Sequence, residues 1–225
     1  MKKKILSGVY LVVDSSYGQD KVLTVTEESM KSGLDVLQLW ASWKDDKVAL
    51  ELGRKLVKLA NDYSVPFVVN NDLEVAKRIG ADGVHIDGKD PSPAEIRKIM
   101  GPASIVGVTC GTDMGKVTWA SESGADYISF CSMFPSSSVT ECELVPLEML
   151  SKSREKVSIP IFASGGINLQ NAGKVVAAGA DGIAVISAIM SAPDPGLATR
   201  NLKDIVRVHL RDQFVGKVAL PSHRN

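Results

Sequence analysis

The sequence predicts an α/β fold, a single (β/α)8 TIM barrel over residues 1–210, and three observations support this prediction. Eight short apolar runs alternate with amphipathic stretches of roughly helical length from one end of the chain to the other. A Gly-x-Asp turn precedes every second run, which indicates repeated βαβα units. The segments after the last two runs both lead from a strand into a helix.

The eight runs are rich in β-branched and aromatic residues, as is typical of buried parallel strands. Between them, Val48–Asn61 repeats apolar residues at three- and four-residue spacing and predicts a helix. Its residues Val48, Leu52, Leu56 and Leu59 form one face, which we expect to pack on the barrel. The predicted strands are Val9–Val13, Val36–Leu39, Phe67–Val69, Gly83–Ile86, Ile105–Val108, Tyr127–Phe130, Ile161–Ala163 and Ile183–Ile186.

The internal repeat has a physical basis in the tight turn between a helix and the next strand. Glycine ends a helix in the left-handed conformation, and aspartate can bond nearby backbone amides. The four copies are Gly33-Leu34-Asp35, Gly80-Ala81-Asp82, Gly124-Ala125-Asp126 and Gly179-Ala180-Asp181.

The composition favours one globular domain that binds a small molecule. A chain of 225 residues with 44% hydrophobic and 23% charged residues can bury one sizeable core. The 26 Lys and Arg residues balance the 26 Asp and Glu residues, so no overall charge favours nucleic acid or a membrane surface as a partner. The sequence shows no signal peptide and no membrane span of about 18–20 apolar residues. We therefore expect a cytoplasmic protein, either a monomer or a homo-oligomer.

The cysteines and the C-terminal segment agree with that expectation. Cys110, Cys131 and Cys142 are odd in number and form no Cys-x-x-Cys pair, which fits a reducing compartment. Residues 211–225 are polar and are predicted to form a poorly ordered tail.

The segments after the seventh and eighth strands predict a phosphate site. Gly165 and Gly166 let the backbone approach an anion closely, and Ile186 and Ser187 begin the helix after the last strand. The start of a helix offers unpaired N–H groups and the positive end of its dipole, and barrels usually bind phosphate at this place. The alternative is that the two glycines only make a tight turn.

Four further segments, together with the phosphate loops, resemble the motifs of the thiamine phosphate synthase family over roughly residues 8–190. They are Val36–Leu39, Asn70–Asp72, Gly83–Ile86 with Asp90, and Phe134–Ser138. The resemblance implies a transferase of thiamine biosynthesis that couples hydroxymethylpyrimidine pyrophosphate to thiazole phosphate, with Mg²⁺ holding the released pyrophosphate. It places Gln38, Asn70, Thr109, Ser136 and Ser138 at the reacting groups, Gly166, Ile186 and Ser187 at the phosphate, and Asp90 with Asn71 and Asp72 at the metal.

The chain departs from the family pattern at residues that would bind pyrophosphate. The family's arginine after strand two reads Trp40, its aspartate after strand three reads Asn71, and its lysine after strand six reads Val139. Pyrophosphate carries two to three negative charges, and each charge-assisted hydrogen bond to it contributes about 1.5–3 kcal/mol. Lys44 or Lys89 could replace part of the lost charge.

Three functions therefore compete. The first is the synthase-type transferase. The second is a catalytically degenerate paralogue that binds a thiamine-related or other phosphate ester without this turnover. The third is a sugar phosphate isomerase or epimerase. It is less favoured, because the sequence supplies no obvious acid and base on opposite faces of a substrate.

Several side chains near the predicted site allow two interpretations. Trp40 and Trp43 could stack on a heteroaromatic ligand or form a hydrophobic lid. His85 should face the barrel interior, because Val84 and Ile86 point the other way, and it is either a site residue or a hydrogen-bonded structural histidine. Asp87 could join Asp90 and Asp72 as an oxygen ligand of Mg²⁺ or stay a solvated carboxylate. Cys110 and Cys131 are either reactive thiols or small packing residues.

Overall fold

The computed structural model describes residues 6–40, 46–135 and 143–218. Every predicted strand is present, and five of the eight extend by one residue or more at an end. The last strand begins and ends one residue earlier than predicted. The strands are β1 Gly8–Asp14, β2 Val36–Trp40, β3 Phe67–Asn70, β4 Gly83–Ile86, β5 Ile105–Thr109, β6 Tyr127–Phe130, β7 Ile161–Ser164 and β8 Gly182–Val185.

Helices follow the strands around the outside of the barrel. They are α1 Gln19–Lys31, α2 Asp46–Tyr63, α3 Leu73–Ile79, α4 Pro93–Met100, α5 Met114–Glu122, α6 Glu148–Lys156, α7 Ala172–Ala177, α8 Ser187–Met190 and α9 Pro195–Val218. Within the described ranges, none of these helices is long and apolar enough to cross a membrane.

All neighbouring strands are parallel, and β8 pairs with β1 to close the barrel in sequence order. The fold is therefore the predicted (β/α)8 TIM barrel. The register aligns Asn70 with His85 across β3 and β4, and Thr109 with Ser129 across β5 and β6. Because these residues alternate with helix-facing neighbours, their side chains share the barrel interior.

Three aromatic rings in edge-on contact fill the interior of the barrel beneath the polar side chains of Asn70, His85, Thr109 and Ser129. The ring centroid of Phe162 lies 5.2 Å from that of Tyr10 and 5.4 Å from that of Tyr127. Gly107 makes room for this layer, since a Cβ atom there would lie 2.1 Å from Cζ of Tyr127. The interior below the site is thus a packed core and not a channel.

The four repeated aspartates each accept a hydrogen bond from the N–H of the first or second residue of a neighbouring strand. Asp35 accepts from Val9 at 2.9 Å, and Asp126 accepts from Val106 at 2.8 Å. Asp82 and Asp181 do the same for Phe67 and Ile161 at 2.9 and 2.7 Å. Each aspartate precedes an even-numbered strand and caps an odd-numbered one, which explains why the motif occurs before every second strand.

Two predictions need correction. Val48 is 51% exposed and does not pack on the barrel; it lies in the first turn of α2, and the buried face continues through Leu52, Leu56 and Ala60. The predicted tail is helical over residues 211–218, because no proline interrupts α9 after its first residue. Residues 219–225 lie outside the described ranges.

Candidate functional site

A cavity of about 800 Å³ opens at the carboxyl-terminal end of the barrel. It brings together most of the predicted site residues that the structure describes: Gln38, Asn70, Thr109, Gly165, Gly166, Ile186 and Ser187. Gly166 and Ser187 therefore lie at the same end of the barrel, as predicted. The catalytic predictions Ser136 and Ser138 lie outside the described residues, while Phe134 and Pro135 just before them line the cavity.

One side of the cavity carries a pair of hydrogen-bonded amides. Nε2 of Gln38 donates to Oδ1 of Asn70 at 3.1 Å, and the hydroxyl of Tyr10 donates to Oε1 of Gln38 at 2.5 Å. Gln38 is buried, whereas Asn70 is half-buried at the end of β3. Gln38 and Asn70 are therefore in direct contact, and the amide of Gln38 is also hydrogen-bonded to a tyrosine deeper in the barrel.

His85 lies at the centre of the same polar layer. Its Nδ1 is 3.0 Å from the hydroxyl of Tyr127, and its Nε2 is 2.7 Å from Oγ1 of Thr109. The hydroxyls of Tyr127 and Tyr10 are 2.9 Å apart, which joins the histidine to the amide pair. The ring faces the barrel interior as predicted, lines the cavity and is hydrogen-bonded through both nitrogens, so the structural interpretation is confirmed and a role at the site stays a prediction.

Burial controls the protonation of this layer. Burial lowers the pKa of His85 to about 4, with a smaller opposing effect of Asp87 and a small further decrease from Lys116. Burial also raises the pKa values of Tyr10 and Tyr127 well above the usual value. The histidine and both tyrosines are therefore neutral over the physiological pH range.

The other side of the cavity carries backbone N–H groups. Within the described ranges, the N–H groups of Gly165, Gly166, Ile186 and Ser187 donate to no backbone carbonyl outside the regular strands and helices. Gly165 and Gly166 have φ angles of 89° and 64°. Such groups can bind an anion when they converge on one cavity.

The two glycines also pack against the loop that follows β6. A Cβ atom on Gly165 would lie 2.4 Å from the backbone nitrogen of Ser132. A Cβ atom on Gly166 would lie 2.6 Å from the carbonyl oxygens of Phe134 and Pro135. The positive φ angles agree with the tight-turn interpretation, and the close approach seen here is to another loop. The approach of an anion to these glycines stays a prediction.

The predicted metal ligands make different hydrogen bonds within the protein. Asp72 caps α3, since its Oδ1 accepts from the N–H of Val75 at 2.8 Å. Asn71 pairs with Asp87: its Nδ2 donates to Oδ2 of Asp87 at 2.5 Å, and its Oδ1 accepts from the N–H of Asp87 at 2.9 Å. Of these carboxylates, Asp87 lines the cavity, and Asp90 is exposed on the same loop.

The donor set fits Mg²⁺ but not a metal held by protein ligands alone. Among the described residues, no group of three His, Cys, Asp or Glu side chains is arranged to hold a metal ion. Mg²⁺ needs only one or two carboxylates when phosphate and water complete its shell. The carboxylates of Asp87 and Asp90 meet that requirement, and the predictions for Asp90, Asn71 and Asp72 stay predictions.

The described part of the cavity lining contains no lysine or arginine, and its charged residue is Asp87. Lys89 is turned toward α5, where its Nζ lies 3.9 Å from Oδ2 of Asp113 and 5.8 Å from the ring centroid of Trp119. Lys116 Nζ donates to the backbone carbonyl of Asp87. Lys44, Trp43 and Val139 lie outside the described residues.

The structure gives different answers to the alternative interpretations of Trp40 and of the two described cysteines. Trp40 lines the cavity and is 39% exposed, so its ring is available to a ligand. Cys110 is a packing residue, because it is buried in the hydrophobic core, and that burial raises the pKa of its thiol to about 12. Cys131 is exposed and lines the cavity, so the packing interpretation is wrong for this residue.

The sequence-based prediction missed several polar residues in and beneath the cavity, among them Tyr10, Tyr127 and Ser129. The signal was the strand alternation: Tyr127 and Ser129 alternate with Ile128 and Phe130 in β6, and Tyr10 alternates with Val9 and Leu11 in β1. Period-two alternation places these side chains inside the barrel. It does not reveal that their hydroxyls meet.

Comparisons with known proteins show which family this sequence and this fold resemble. Residues 9–189 match the family described as thiamine monophosphate synthase. The chain is 37% identical over 202 residues to thiamine-phosphate synthase from Picrophilus torridus, covering 90% of this chain and 98% of the relative. It is 39% identical over 198 residues to the thiamine biosynthesis bifunctional protein ThiED of Geobacter sulfurreducens, with 88% of this chain covered but only 40% of that longer protein. The solved thiamine phosphate pyrophosphorylase from Pyrococcus furiosus has a TM-score of 0.79 and 32% identity, covering 90% of this chain and 96% of that one.

Proposed function

The chain belongs to the thiamine monophosphate synthase family, and from that membership we propose that it is a thiamine phosphate synthase-type transferase. It couples hydroxymethylpyrimidine pyrophosphate to thiazole phosphate and releases pyrophosphate. The observation that carries the proposal is one cavity of about 800 Å³ that joins the Gln38 and Asn70 amides to the β7 and β8 loops with Gly165, Gly166, Ile186 and Ser187.

The two sides of the cavity suit the two substrates. The amides of Gln38 and Asn70 can hydrogen-bond the nitrogens of a pyrimidine. The N–H groups of Gly165, Gly166 and Ser187 can hold the thiazole phosphate. Both rings would then lie over the apolar part of the lining, with Trp40 beside them. Positioning of this kind converts a reaction between two substrates into one within a complex.

The reaction needs no covalent nucleophile from the protein. The bond between the pyrimidinylmethyl carbon and the pyrophosphate oxygen breaks, and both electrons leave with pyrophosphate. The lone pair of the thiazole nitrogen then forms the new carbon–nitrogen bond. Mg²⁺, held through Asp90 or Asp87, would neutralise the leaving pyrophosphate. The neutral state of His85 avoids a repulsive positive charge beneath the pyrimidinylmethyl cation.

A second function has a specific observation in its favour. The described cavity lining contains no lysine or arginine to bind pyrophosphate, which supports a paralogue that binds a phosphorylated heterocycle without turnover. Each lost charge-assisted hydrogen bond would remove about 1.5–3 kcal/mol of binding.

Two measurements on the wild-type chain separate the functions. The first follows thiamine phosphate and pyrophosphate in the presence of both substrates and Mg²⁺. The second is a calorimetric titration with thiamine phosphate. Equal amounts of both products support the transferase. Binding of thiamine phosphate without product formation supports the paralogue, and neither binding nor turnover contradicts both.

A matched pair of variants tests the site itself. Gln38→Leu should lower turnover and thiamine phosphate affinity, because the leucine fills the same space without an amide. Ile99→Leu on the exposed surface of α4 should change neither. Equal behaviour of the two variants would exclude Gln38 from the site.

A further inference from the structure

The barrel interior contains an unbroken chain of side-chain hydrogen bonds that ends at the cavity. All of its links lie between 2.5 and 3.1 Å. None of its members except Asn70 and Thr109 is more than slightly exposed. In order, the chain runs through Thr109, His85, Tyr127, Tyr10, Gln38 and Asn70.

With the Gln38 amide oriented as observed, the donors and acceptors along this hydrogen-bond chain can be assigned in only one order. A carbonyl oxygen can only accept, so the single hydroxyl proton of Tyr10 is donated to Oε1 of Gln38. The oxygen of Tyr10 must then accept from the hydroxyl of Tyr127. Since that uses the single proton of Tyr127, its oxygen accepts from Nδ1–H of His85.

The histidine completes the order because it carries one ring proton. The ring is buried, its described hydrogen-bond partners are all hydroxyl groups, and no carboxylate among them balances a positive charge, so the neutral ring with one proton fits this environment. With its proton on Nδ1, the free Nε2 accepts from the hydroxyl of Thr109. The tautomer of His85 and the orientation of the Gln38 amide are therefore linked through two tyrosines.

A reversed order of the same chain is the competing state. It would have His85 protonated on Nε2, the Gln38 amide turned over, and Asn70 donating to Gln38. The carbonyl of Asn70 would then face the cavity. In the observed order, Asn70 Oδ1 accepts from Gln38, and no described residue accepts a hydrogen bond from Asn70 Nδ2. The cavity thus meets an amide donor.

We propose that His85, Tyr127 and Tyr10 are positioning residues that fix the amides of Gln38 and Asn70 so that they present N–H donors to an acceptor nitrogen of the bound heterocycle. The inference rests on the proposed function in that the acceptor is then a ring nitrogen of the pyrimidine. The histidine lines the cavity, but in this role it acts through the order of the protons and not through a contact with the pyrimidine nitrogen.

The first experiment tests the order of the chain without any ligand. Nitrogen NMR of histidine-labelled protein should show His85 as the neutral Nδ1–H tautomer, with its signals assigned by their loss in His85→Asn. Tyr10→Phe frees Tyr127 to donate to the histidine, so the Nε2–H tautomer should appear. An Nε2–H tautomer in the wild type, or an unchanged spectrum in Tyr10→Phe, would overturn the inference.

The second experiment tests the consequence for recognition. Calorimetry compares thiamine phosphate with analogues in which each pyrimidine nitrogen in turn is replaced by C–H. The wild type should prefer thiamine phosphate over one analogue by about tenfold, the effect of one good hydrogen bond. Tyr10→Phe and Tyr127→Phe should reduce this preference to less than about twofold, because the amides can then turn over.

Two controls separate positioning from packing. Phe162→Leu disturbs the same aromatic layer, where Phe162 packs 5.2 Å from Tyr10, but it breaks no link of the chain, so the preference should persist. His85→Asn can still donate to Tyr127 from near the Nδ1 position and should retain more of the preference than His85→Leu. Loss of the preference in Phe162→Leu would mean that packing alone is responsible and would overturn the inference. If thiamine phosphate does not bind the wild type, the proposed function fails, whereas the tautomer measurement still decides the proton order.

Discussion

Gly166 lies where backbone conformation and close packing both exclude a side chain. Its φ angle is 64°, and an added Cβ atom would lie 2.6 Å from two carbonyl oxygens of the β6 loop. Gly166→Ala should therefore displace the loop that carries the candidate phosphate-binding N–H groups. We expect the Kd for thiamine phosphate, measured by calorimetry, to rise at least tenfold, which corresponds to about 1.4 kcal/mol.

Gly111 is a matched control for that substitution. Its φ angle is 58°, but no described atom lies within 4 Å of an added Cβ atom. Both variants should lose about 1 kcal/mol of stability from the left-handed conformation. Only Gly166→Ala should also lose ligand affinity, so an equal loss of affinity in Gly111→Ala would contradict the phosphate site.

His85 should make the stability of the protein depend on pH. Its pKa is lowered from 6.5 to about 4 in the folded state, mainly by burial. The unfolded chain therefore binds a proton that the folded chain refuses, and stability is present in full above about pH 6.5 and is lost as the pH falls toward 4. The total loss from this residue is about 3 kcal/mol, at 1.36 kcal/mol for each pKa unit.

Urea unfolding at pH 7 and at pH 4.5 measures this effect. Other groups titrate over the same range, so the quantity of interest is the difference between wild type and His85→Asn. The variant should lose less stability on acidification than the wild type does. An equal loss in both proteins would show that His85 is not held neutral in the fold.

For single residues, the sequence could predict where a side chain lies better than which other residue it contacts. Gln38, Asn70 and His85 could be placed in the interior because strand residues alternate and the barrel has two faces. The cap made by Asp72 and the pairing of Asn71 with Asp87 depend on loop conformation, which short polar segments do not specify. The exposure of Cys131 likewise depends on how the β6 loop turns away from the strand.

At the scale of elements, the repeated aspartates tie each odd-numbered strand to the turn before an even-numbered one. Three of the four also pair with a cation from a surrounding helix: Asp35 with Lys203, Asp126 with Arg97, and Asp181 with Arg154. The turn motif therefore fixes the strand start and fastens a helix at the same point. This second task could not be predicted, since the cations come from distant places in the sequence.

Asp126→Ala should be more destabilising than Asp82→Ala. Asp126 caps Val106 and lies 2.5 Å from Nη2 of Arg97, and its side chain is only 8% exposed. Asp82 caps Phe67 in the same way, but no described residue forms an ion pair with it. We expect losses of about 3 kcal/mol for Asp126→Ala, which leaves a partly buried arginine unpaired, and about 1 kcal/mol for Asp82→Ala.

The two free energies of unfolding can be compared in urea at neutral pH. Asp126→Asn separates the contributions further, because it can keep the acceptor for Val106 while removing the charge opposite Arg97. Similar losses for Asp126→Ala and Asp82→Ala would show that the strand cap alone carries the effect.

At the scale of the whole molecule, the closed barrel is what turns separate motifs into one site. Gln38 and Ser187 are far apart in sequence, yet both line one cavity because all eight strands are parallel and end at the same rim. This arrangement was predictable from the alternation of strands and helices. The charge of the cavity was not, because it depends on where long lysine side chains such as Lys89 turn.

At three positions the chain lacks the charged residues with which the family would bind pyrophosphate. Their effect on turnover can be tested together by restoring the family's charges with Trp40→Arg, Asn71→Asp and Val139→Lys. Asn71 donates to Asp87 at 2.5 Å, so Asn71→Asp brings two carboxylates together and should increase the Mg²⁺ requirement of the variant. If the lost charges are uncompensated, the wild type should bind thiamine phosphate but form it slowly. The triple variant should then gain more turnover than the product of the three single gains, because the three groups hold one leaving group and act as neighbours.

Steady-state assays with both substrates and Mg²⁺ compare the wild type, the singles and the triple variant, with Lys44→Ala and Lys89→Ala as tests for a replacement cation. Fast synthesis by the wild type that the triple variant leaves unchanged, but that one lysine substitution abolishes, would assign the missing charge to that lysine and rule out the degenerate paralogue.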